Sequence, residues 1–464
     1  MTSPTPRRIA VVDIGKTNAK LALHDLSEGR DLFVRTAPNT VRPGPPYPHF
    51  DTERLWEFLL QALTECASAH EIDAVSVTTH GACAALVDAR DLVLPILDYE
   101  SRLPDELAES YALARPPFRE TASPRLPGGL NLGAQLFWLT SRFPRDVARA
   151  RHLLPYPQYW AWRLSGVAAA EVTSLGCHTD LWDLGASRPS SLARARGWDR
   201  LLPPLRSAFD ALGPLRPELA ARIGLAHPVP VFCGLHDSNA SLLPHLLSRE
   251  APFTVLSTGT WTVAMAVGGR LDGLDPARDT LANVDALGRP VPSGRFMGGR
   301  EFDELTGREP AEPTAEDIRR VLEREIMAWP SFAPGTGPFP AGAGRWSTAP
   351  DALSPRERTA AASLYGALMT ERVLALVGAG GPSIVEGPFA RNPLYLAALR
   401  TLSGRAVLAS EGATGTTAGA ALLAQGSGAR PQAPAHAPAG EVAGLDEPSL
   451  RRYADAWRRQ AEAA

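Results

Sequence analysis

Val11-Val12-Asp13-Ile14-Gly15-Lys16-Thr17-Asn18-Ala19-Lys20-Leu21 is the stretch on which the reading of this chain turns. The apolar, partly β-branched run Arg8-Ile9-Ala10-Val11-Val12 predicts a buried strand that ends at Asp13. Gly15 permits a tight turn with close backbone approach, and Leu21-Ala22-Leu23 resumes as a return strand. The turn therefore offers one carboxylate, two ammonium groups, a hydroxyl and an amide. It is not the Gly-x-x-x-x-Gly-Lys-Ser/Thr phosphate loop, and no helix obviously follows it. Asp-Ile-Gly turns close many ordinary hairpins; lysine usage sets this one apart. Of 47 Lys+Arg residues, two are lysines, Lys16 and Lys20. A general preference for arginine accounts for the rest. A lysine that survives such a preference marks a place where arginine does not serve, and the two cations differ most where a point charge meets phosphate.

The bulk numbers exclude several classes. A chain of 464 residues predicts two domains, and 44% hydrophobic with 21% charged residues is ordinary for a globular protein. A formal net charge of -3 gives no electrostatic reason to expect nucleic acid or an anionic membrane as partner. Cys66, Cys83, Cys177 and Cys233 are scattered with no C-x-x-C pair, and read as buried thiols, not a disulfide frame or zinc site. No apolar run is long enough to span a membrane, and the start runs straight into a strand without a signal peptide. The expected location is the cytoplasm.

Along the chain, 52–69 has helical periodicity, with Leu55, Phe58, Leu59 and Leu63 on one face. Residues 74–79 read as a buried strand ending in Thr79-His80-Gly81-Ala82, and 84–88 as a short one before Asp98-Tyr99-Glu100-Ser101-Arg102. Helix prevails from about 103 to 230, with tryptophans at 138, 160, 162, 182 and 198. A strand over 229–234 precedes His236-Asp237 and a helix through Leu246. Phe253 to Ala264 then repeats the opening design of strand, small-residue turn and return strand, which suggests a duplicated architecture. The expected domains are 1–247 and 248–426. Residues 427–464 follow as a Pro/Ala-rich linker and terminal helix.

Each constellation has two readings. Ser257-Thr258-Gly259-Thr260 supplies hydroxyls and backbone N–H groups suited to anionic oxygens, yet such turns end many strands. Asp237, just past a buried strand, can accept a proton from an attacking hydroxyl or can cap the helix that follows. Asn392-Pro393 reads as an N-cap and first helical residue, shortly after Gly378, Gly380, Gly381 and Gly387. The small-residue run from Gly412 through Gly415 to Gly419 leaves a bare helix face. A flat ring can lie against such a face, or a second helix can pack on it.

Together and in this order, these residues resemble the FGGY carbohydrate kinases, of the sugar kinase, Hsp70 and actin superfamily, from about residue 8 to 425. The wording of the Asp13–Lys20 and Ser257–Trp261 segments is similar to the rhamnulokinase and fuculokinase branch. So is Phe296-Met297-Gly298-Gly299-Arg300-Glu301, which has no role assigned by the resemblance. The resemblance implies two actin-like (ribonuclease H-like) α/β domains, each a mixed sheet flanked by helices, around a central nucleotide cleft. It implies an ATP-dependent sugar kinase acting on a ketose such as L-fuculose or L-rhamnulose, with ATP and Mg²⁺ as cofactors. Asp237 would be the general base and Asp13 would hold the metal. Gly15, Lys16, Thr17, Asn18, Lys20, Ser257, Thr258, Gly259, Thr260, Gly387, Asn392 and Gly415 would bind ATP. His80, Gly81, Ala82, Glu100, Arg102 and His236, with Asp237, would meet the sugar. The expected partner is a small sugar, with the chain a monomer or homodimer that binds no nucleic acid or membrane. A superfamily ATPase or phosphatase, or a non-catalytic sugar sensor, is the alternative. Pro388-Phe389 stands where many members carry a glycine triplet, and Tyr99 where many carry Trp or Arg; base preference and sugar identity stay open.

Overall fold

The computed structural model describes residues 6–307, 310–411 and 415–462. The chain divides into two compact units. One comprises Met1–Arg249 with Asn283–Pro290 and Thr414–Ala433; the other comprises Glu250–Ala282, Val291–Ala413 and Pro434–Ala464. The boundary near 249 lies beside the expected one, but 414–433 belongs with the first unit and the end of the chain with the second.

The first unit is built on a seven-stranded sheet. Its order runs Ala211–Pro214, Pro230–Phe232, Ala74–Thr79, Arg8–Ile14, Asn18–Asp25, Arg30–Pro38, and Leu235–His236 also pairs with Ala74–Thr79. The opening hairpin is antiparallel, with Asp13 opposite Lys20. Arg8–Ile14 lies parallel to Ala74–Thr79, with Ile14 level with Thr79, and His236 is level with Thr79 on the other side. Three parallel strands thus end together at Ile14, Thr79 and His236. Ends of this kind collect ligands, because the chain leaves the sheet there and frees side chains and N–H groups. The helix Thr52–Ala69 forms as its periodicity predicts: Leu55, Leu59 and Leu63 are buried, Phe58 packs at the margin, and Asp51 caps it through the N–H of Arg54 at 3.3 Å.

The second unit repeats the plan. The hairpin Phe253–Thr258 and Thr262–Val267 is antiparallel, and its first strand runs parallel to Ser383–Glu386. The full order is Thr280–Val284, Pro290–Phe296, Thr262–Val267, Phe253–Thr258, Ser383–Glu386, Val407–Ser410, His436–Pro438. The long helix Pro355–Leu376, opened by a Ser354/Glu357 capping box, supplies much of the core.

One expectation is corrected here. The stretch read as a linker carries the strand His436–Pro438, antiparallel to Val407–Ser410. The terminal helix Glu447–Ala461 buries Leu450, Tyr453 and Trp457. Tyr453 Oη donates to the Ile326 carbonyl at 2.8 Å and Trp457 Nε1 to that of Ala328 at 2.6 Å. Main-chain pairing needs no particular side chains, so Pro/Ala-rich composition concealed it.

Candidate active site

In the first unit the hairpin turn is fixed by the Gly15 N–H donating to the Asn18 carbonyl at 2.9 Å. It is fixed again by Asn39, whose side chain donates to the Gly15 carbonyl at 2.8 Å and whose N–H donates to that of Thr17 at 2.9 Å. Thr17 and Asn18 are exposed at its tip. Asp13 accepts a 2.6 Å hydrogen bond from Thr416 Oγ1 and pairs with its cross-strand neighbour Lys20 at 3.3 Å.

Lys16 points elsewhere than open solvent. Its ammonium is ion-paired with Asp98, lies 3.3 Å from Glu100 Oε2, and sits over the rings of Tyr99 and Phe50 at 4.7 and 5.0 Å. Both rings also pack on His80, each with centroids 5.2 Å away. Burial holds the His80 imidazole down to a pKa of about 4, so it is neutral at physiological pH. Its Nδ1 contacts the Gly81 carbonyl at 2.9 Å. Its Nε2 has no partner among the described residues, a buried polar atom that a ligand hydroxyl would satisfy.

His236 and Asp237 complete the cluster. Asp237 begins the helix Asp237–Ser248, and the N-cap position is His236, with no side-chain cap bond. The capping reading of Asp237 is therefore not what forms. Its carboxylate instead accepts the Ser238 N–H at 2.6 Å and lies 3.1 Å from His236 Nε2. Although 30% of its side chain is accessible, the protein around it removes enough water to push its pKa up to about 6, and the nearby Asp13 charge acts in the same direction. His236 is held at about 4 by burial. Gly81 packs on this imidazole so closely that a Cβ there would stand 2.8 Å from His236 Nε2.

The supports come from far along the chain, where local pattern reading finds no signal. Gln135 donates to the Ala82 and Gly129 carbonyls, fixing Ala82 at its left-handed φ of 59°. The buried Glu171 accepts the Thr173 N–H and hydroxyl, and Thr173 Oγ1 accepts the His236 N–H at 3.0 Å. Asp98, which opens the 98–102 segment, has no sequence signal of its own to mark it as the partner of Lys16. Arg102 stands apart: 82% of its side chain is exposed and it pairs with Asp105 at 3.4 Å, while Glu100, 63% exposed, reaches the cluster through Lys16.

In the second unit, Thr258 Oγ1 donates to the Glu386 carbonyl and accepts the Phe389 N–H at 3.1 Å. Gly387, at φ 85°, approaches this turn so closely that a Cβ would fall 1.9 Å from the Thr258 carbonyl oxygen. Ser257 and Thr260 are exposed, and the Gly259 N–H donates to the Trp261 carbonyl at 2.9 Å. The 296–301 segment gains a role: Gly299 lies against this turn, where a Cβ would be 2.1 Å from the Gly259 oxygen. Glu301 anchors it by accepting from Ser331 and from the Phe332 and Ala333 N–H groups. Beside the turn opens a cavity of about 700 Å³, its walls including Phe302, Phe389, Leu394 and Asn392. Asn392 caps the helix Pro393–Ser403 through the Tyr395 N–H at 3.0 Å and donates to Ser363 at 2.9 Å. Gly412, Ala413 and Thr414 lie outside the described residues. Gly415 precedes the helix Thr416–Ala421 in the first unit, where the bare face is used for helix packing: a Cβ on Gly419 would be 1.7 Å from the Ala240 carbonyl oxygen.

A family model described as the FGGY family of carbohydrate kinases, N-terminal domain, matches residues 8–244, and one for the FGGY C-terminal domain matches 250–433. The chain is 29% identical over 293 residues to an L-fuculokinase from Salmonella typhi, a match covering 61% of this chain. It spans 58% of that relative's length. The crystal structure of a carbohydrate kinase from Novosphingobium aromaticivorans is 38% identical, covers 99% of this chain and 100% of its own, and superposes with a TM-score of 0.91. A xylulose kinase from Lactobacillus acidophilus, 14% identical over 98% of this chain and 97% of its own, shares the fold at a TM-score of 0.78. Two mixed sheets of actin-like plan, both family models in order and a relative alike over nearly the whole chain lead to one conclusion: the protein belongs to the FGGY family of carbohydrate kinases.

Proposed function

We propose that the protein is an ATP-dependent sugar kinase that transfers the γ-phosphate to a hydroxyl of a ketose such as L-fuculose or L-rhamnulose. The observation that carries this reading is the convergence of Asp13, Lys16, His80 and Asp237 where three parallel strands end, with Asp237 at a pKa of about 6. A carboxylate so tuned is ionised at neutral pH yet basic enough to accept a proton as a hydroxyl attacks. The likeness to an L-fuculokinase supports the ketose class.

In this reading Asp237 takes the proton, oriented by the Ser238 N–H and by neutral His236. His80, Gly81, Ala82 and Glu100 meet the sugar, and Arg102 would reach it only by leaving Asp105. Lys16, Thr17, Asn18 and Lys20, on the turn begun by Gly15, stabilise the β- and γ-phosphates, the lysines by charge and Thr17 and Asn18 by hydrogen bonds; positioning and electrostatics supply most of phosphoryl-transfer catalysis. In the second unit the exposed Ser257 and Thr260 offer hydroxyl donors to phosphate, Thr258 and Gly259, engaged with Glu386 and Trp261, shape the turn that Gly387 packs against, and the cavity that Asn392 lines takes the nucleoside. Gly415, exposed and next to the Thr416 that holds Asp13, is proposed to let the nucleotide approach the backbone there.

Asp13 is the residue that would hold Mg²⁺. Among the described residues no group of three or more His, Cys, Asp or Glu side chains gathers to cage a metal. A single carboxylate with an oxygen to spare suits Mg²⁺, which keeps much of its water and leans on substrate phosphates. Bound there, it would offset charge on the β- and γ-phosphates.

The test is ADP release with Mg-ATP against a panel of ketoses and polyols, both enantiomers of each. Turnover dependent on one or two sugars is expected. Release independent of any sugar would favour an ATPase and overturn the reading.

A further inference from the structure

The chain's choice of lysine at position 16 pointed to phosphate, yet the ammonium is held among sugar-loop groups. Asp98 and Glu100 accept its charge, and Tyr99 and Phe50 enclose it. Asp98 is rigidly set. It is 8% exposed, its carboxylate also accepts the Glu100 N–H at 3.2 Å, and its own N–H donates to the Pro48 carbonyl at 3.0 Å. Behind it, Gly129 donates its N–H to the Tyr99 carbonyl and leaves no room for a side chain there, with a Cβ 3.0 Å from that oxygen. Lys16, in contrast, ends a flexible four-carbon stem that is 20% exposed, on a turn whose next two residues are open to solvent. A rigid carboxylate holding a cation on a flexible stem is a latch.

We propose that Asp98 is a positioning residue that retains Lys16 in the absence of sugar, so that Lys16 reaches the phosphates only when sugar hydroxyls occupy Asp98 and Glu100. A neutral polyol with adjacent hydroxyls donates hydrogen bonds to these two carboxylates and weakens their hold on the ammonium. Phosphate, carrying more charge, then takes it. The arrangement couples sugar arrival to charge neutralisation at the γ-phosphate and restrains transfer to water. It also accounts for lysine here: arginine would form a bidentate pair with Asp98 and stack on Tyr99, closing the latch permanently. The inference rests on the kinase reading, through the assignment of the 15–18 turn to phosphate.

The test needs no knowledge of the sugar. The affinity for Mg-AMPPNP is measured by calorimetry without sugar for the intact protein, Asp98→Asn and Asp98→Asn/Lys16→Met, with sugar-independent phosphate release from Mg-ATP alongside. Asp98→Asn is expected to bind about fivefold to tenfold tighter, the scale of one partly shielded ion pair, and to release phosphate faster. The double variant should lose both gains. A structural role for Asp98 alone could only weaken binding. Unchanged or weaker binding by Asp98→Asn, or a gain that persists without Lys16, overturns the latch. If the sugar panel shows a kinase while Asp98→Asn shows no gain, the latch fails alone. If the intact protein neither binds Mg-AMPPNP nor turns over any sugar, both readings fail.

Discussion

At the scale of single residues, the environment of Asp237 separates it from the other carboxylates of the site. Asp13 is matched by Lys20 and Asp98 by Lys16, whereas Asp237 faces a neutral imidazole. Burial raises its proton affinity to a pKa of about 6 and lowers that of both His80 and His236 to about 4. Asp237→Asn is expected to bind Mg-AMPPNP normally while kcat falls by about 10²- to 10⁴-fold, the usual worth of a positioned base. Near-normal kcat would remove Asp237 from that role. Titration gives a second expectation. The base works ionised, so kcat/KM for the sugar should fall about tenfold per pH unit below pH about 6 and level off above it. Both histidines stay neutral from pH about 6 down to about 5, so one proton, not two or three, should govern that part of the limb; a steeper slope there in the pH–rate profile would contradict this. The positions of Asp237 and of the 15–18 turn at strand ends were legible in the sequence because each is a short motif closing a buried run. Asp98 was not, because its importance lies in a partner 82 positions away.

At the scale of elements, strong periodicity was readable and side-chain struts were not. The helix over 52–69 and the strand over 74–79 form where their patterns place them, since one-sided burial imposes a period of 3.6 on the helix and burial of both faces leaves no exposed position along the strand. The strut Glu171–Thr173–His236 leaves no such trace. It joins a four-residue helix to the last strand before Asp237 by one hydroxyl. Glu171 is 1% exposed, and burial pushes its pKa up to about 7 despite bonds from Thr173 and Ser174 that favour its charge. Its folded value lies above the unfolded value of about 4.3, so the fold favours the protonated form. The stability this contributes is complete below the unfolded pKa and is lost as pH rises through about 7. Glu171→Gln, which cannot ionise, should therefore flatten the decline of unfolding free energy between about pH 4.3 and 7. Urea titrations across that range check it, and an unaltered slope would mean that Glu171 stays charged. Glu171→Ala should instead cost about 1–3 kcal/mol, because the Thr173 and Ser174 N–H groups lose their acceptor inside the protein.

At the scale of the whole molecule, the order of the chain and the order of the fold differ. The repeated strand–turn–strand design sets the expected boundary near 247 and assigns everything to 426 to the second half. That was reasonable, because a returning segment carries no label of where it docks. The segment 414–433 nevertheless belongs to the first unit. Its helix Thr416–Ala421 meets helix Asp237–Ser248 at Gly419, Ser76 Oγ donates to the Ala420 carbonyl at 2.7 Å, and Thr416 holds Asp13. Ala420, Ala421 and Leu423 are fully buried and Leu422 is 7% exposed. Two buried leucines and two alanines contribute on the order of 4–8 kcal/mol by transfer free energy, which rivals the 5–15 kcal/mol that stabilises a typical domain. The consequence is sharp for dissection. A fragment of residues 1–249 contains the whole first family match, yet lacks this helix. It should unfold at markedly lower urea than the first unit does in the full chain, and a synthetic 415–433 peptide added in trans should raise its midpoint. Trp162, buried in the first unit, gives a fluorescence signal for the titration. A fragment as stable as the first unit in the intact protein, and indifferent to the peptide, would show that the returning helix decorates this core without completing it.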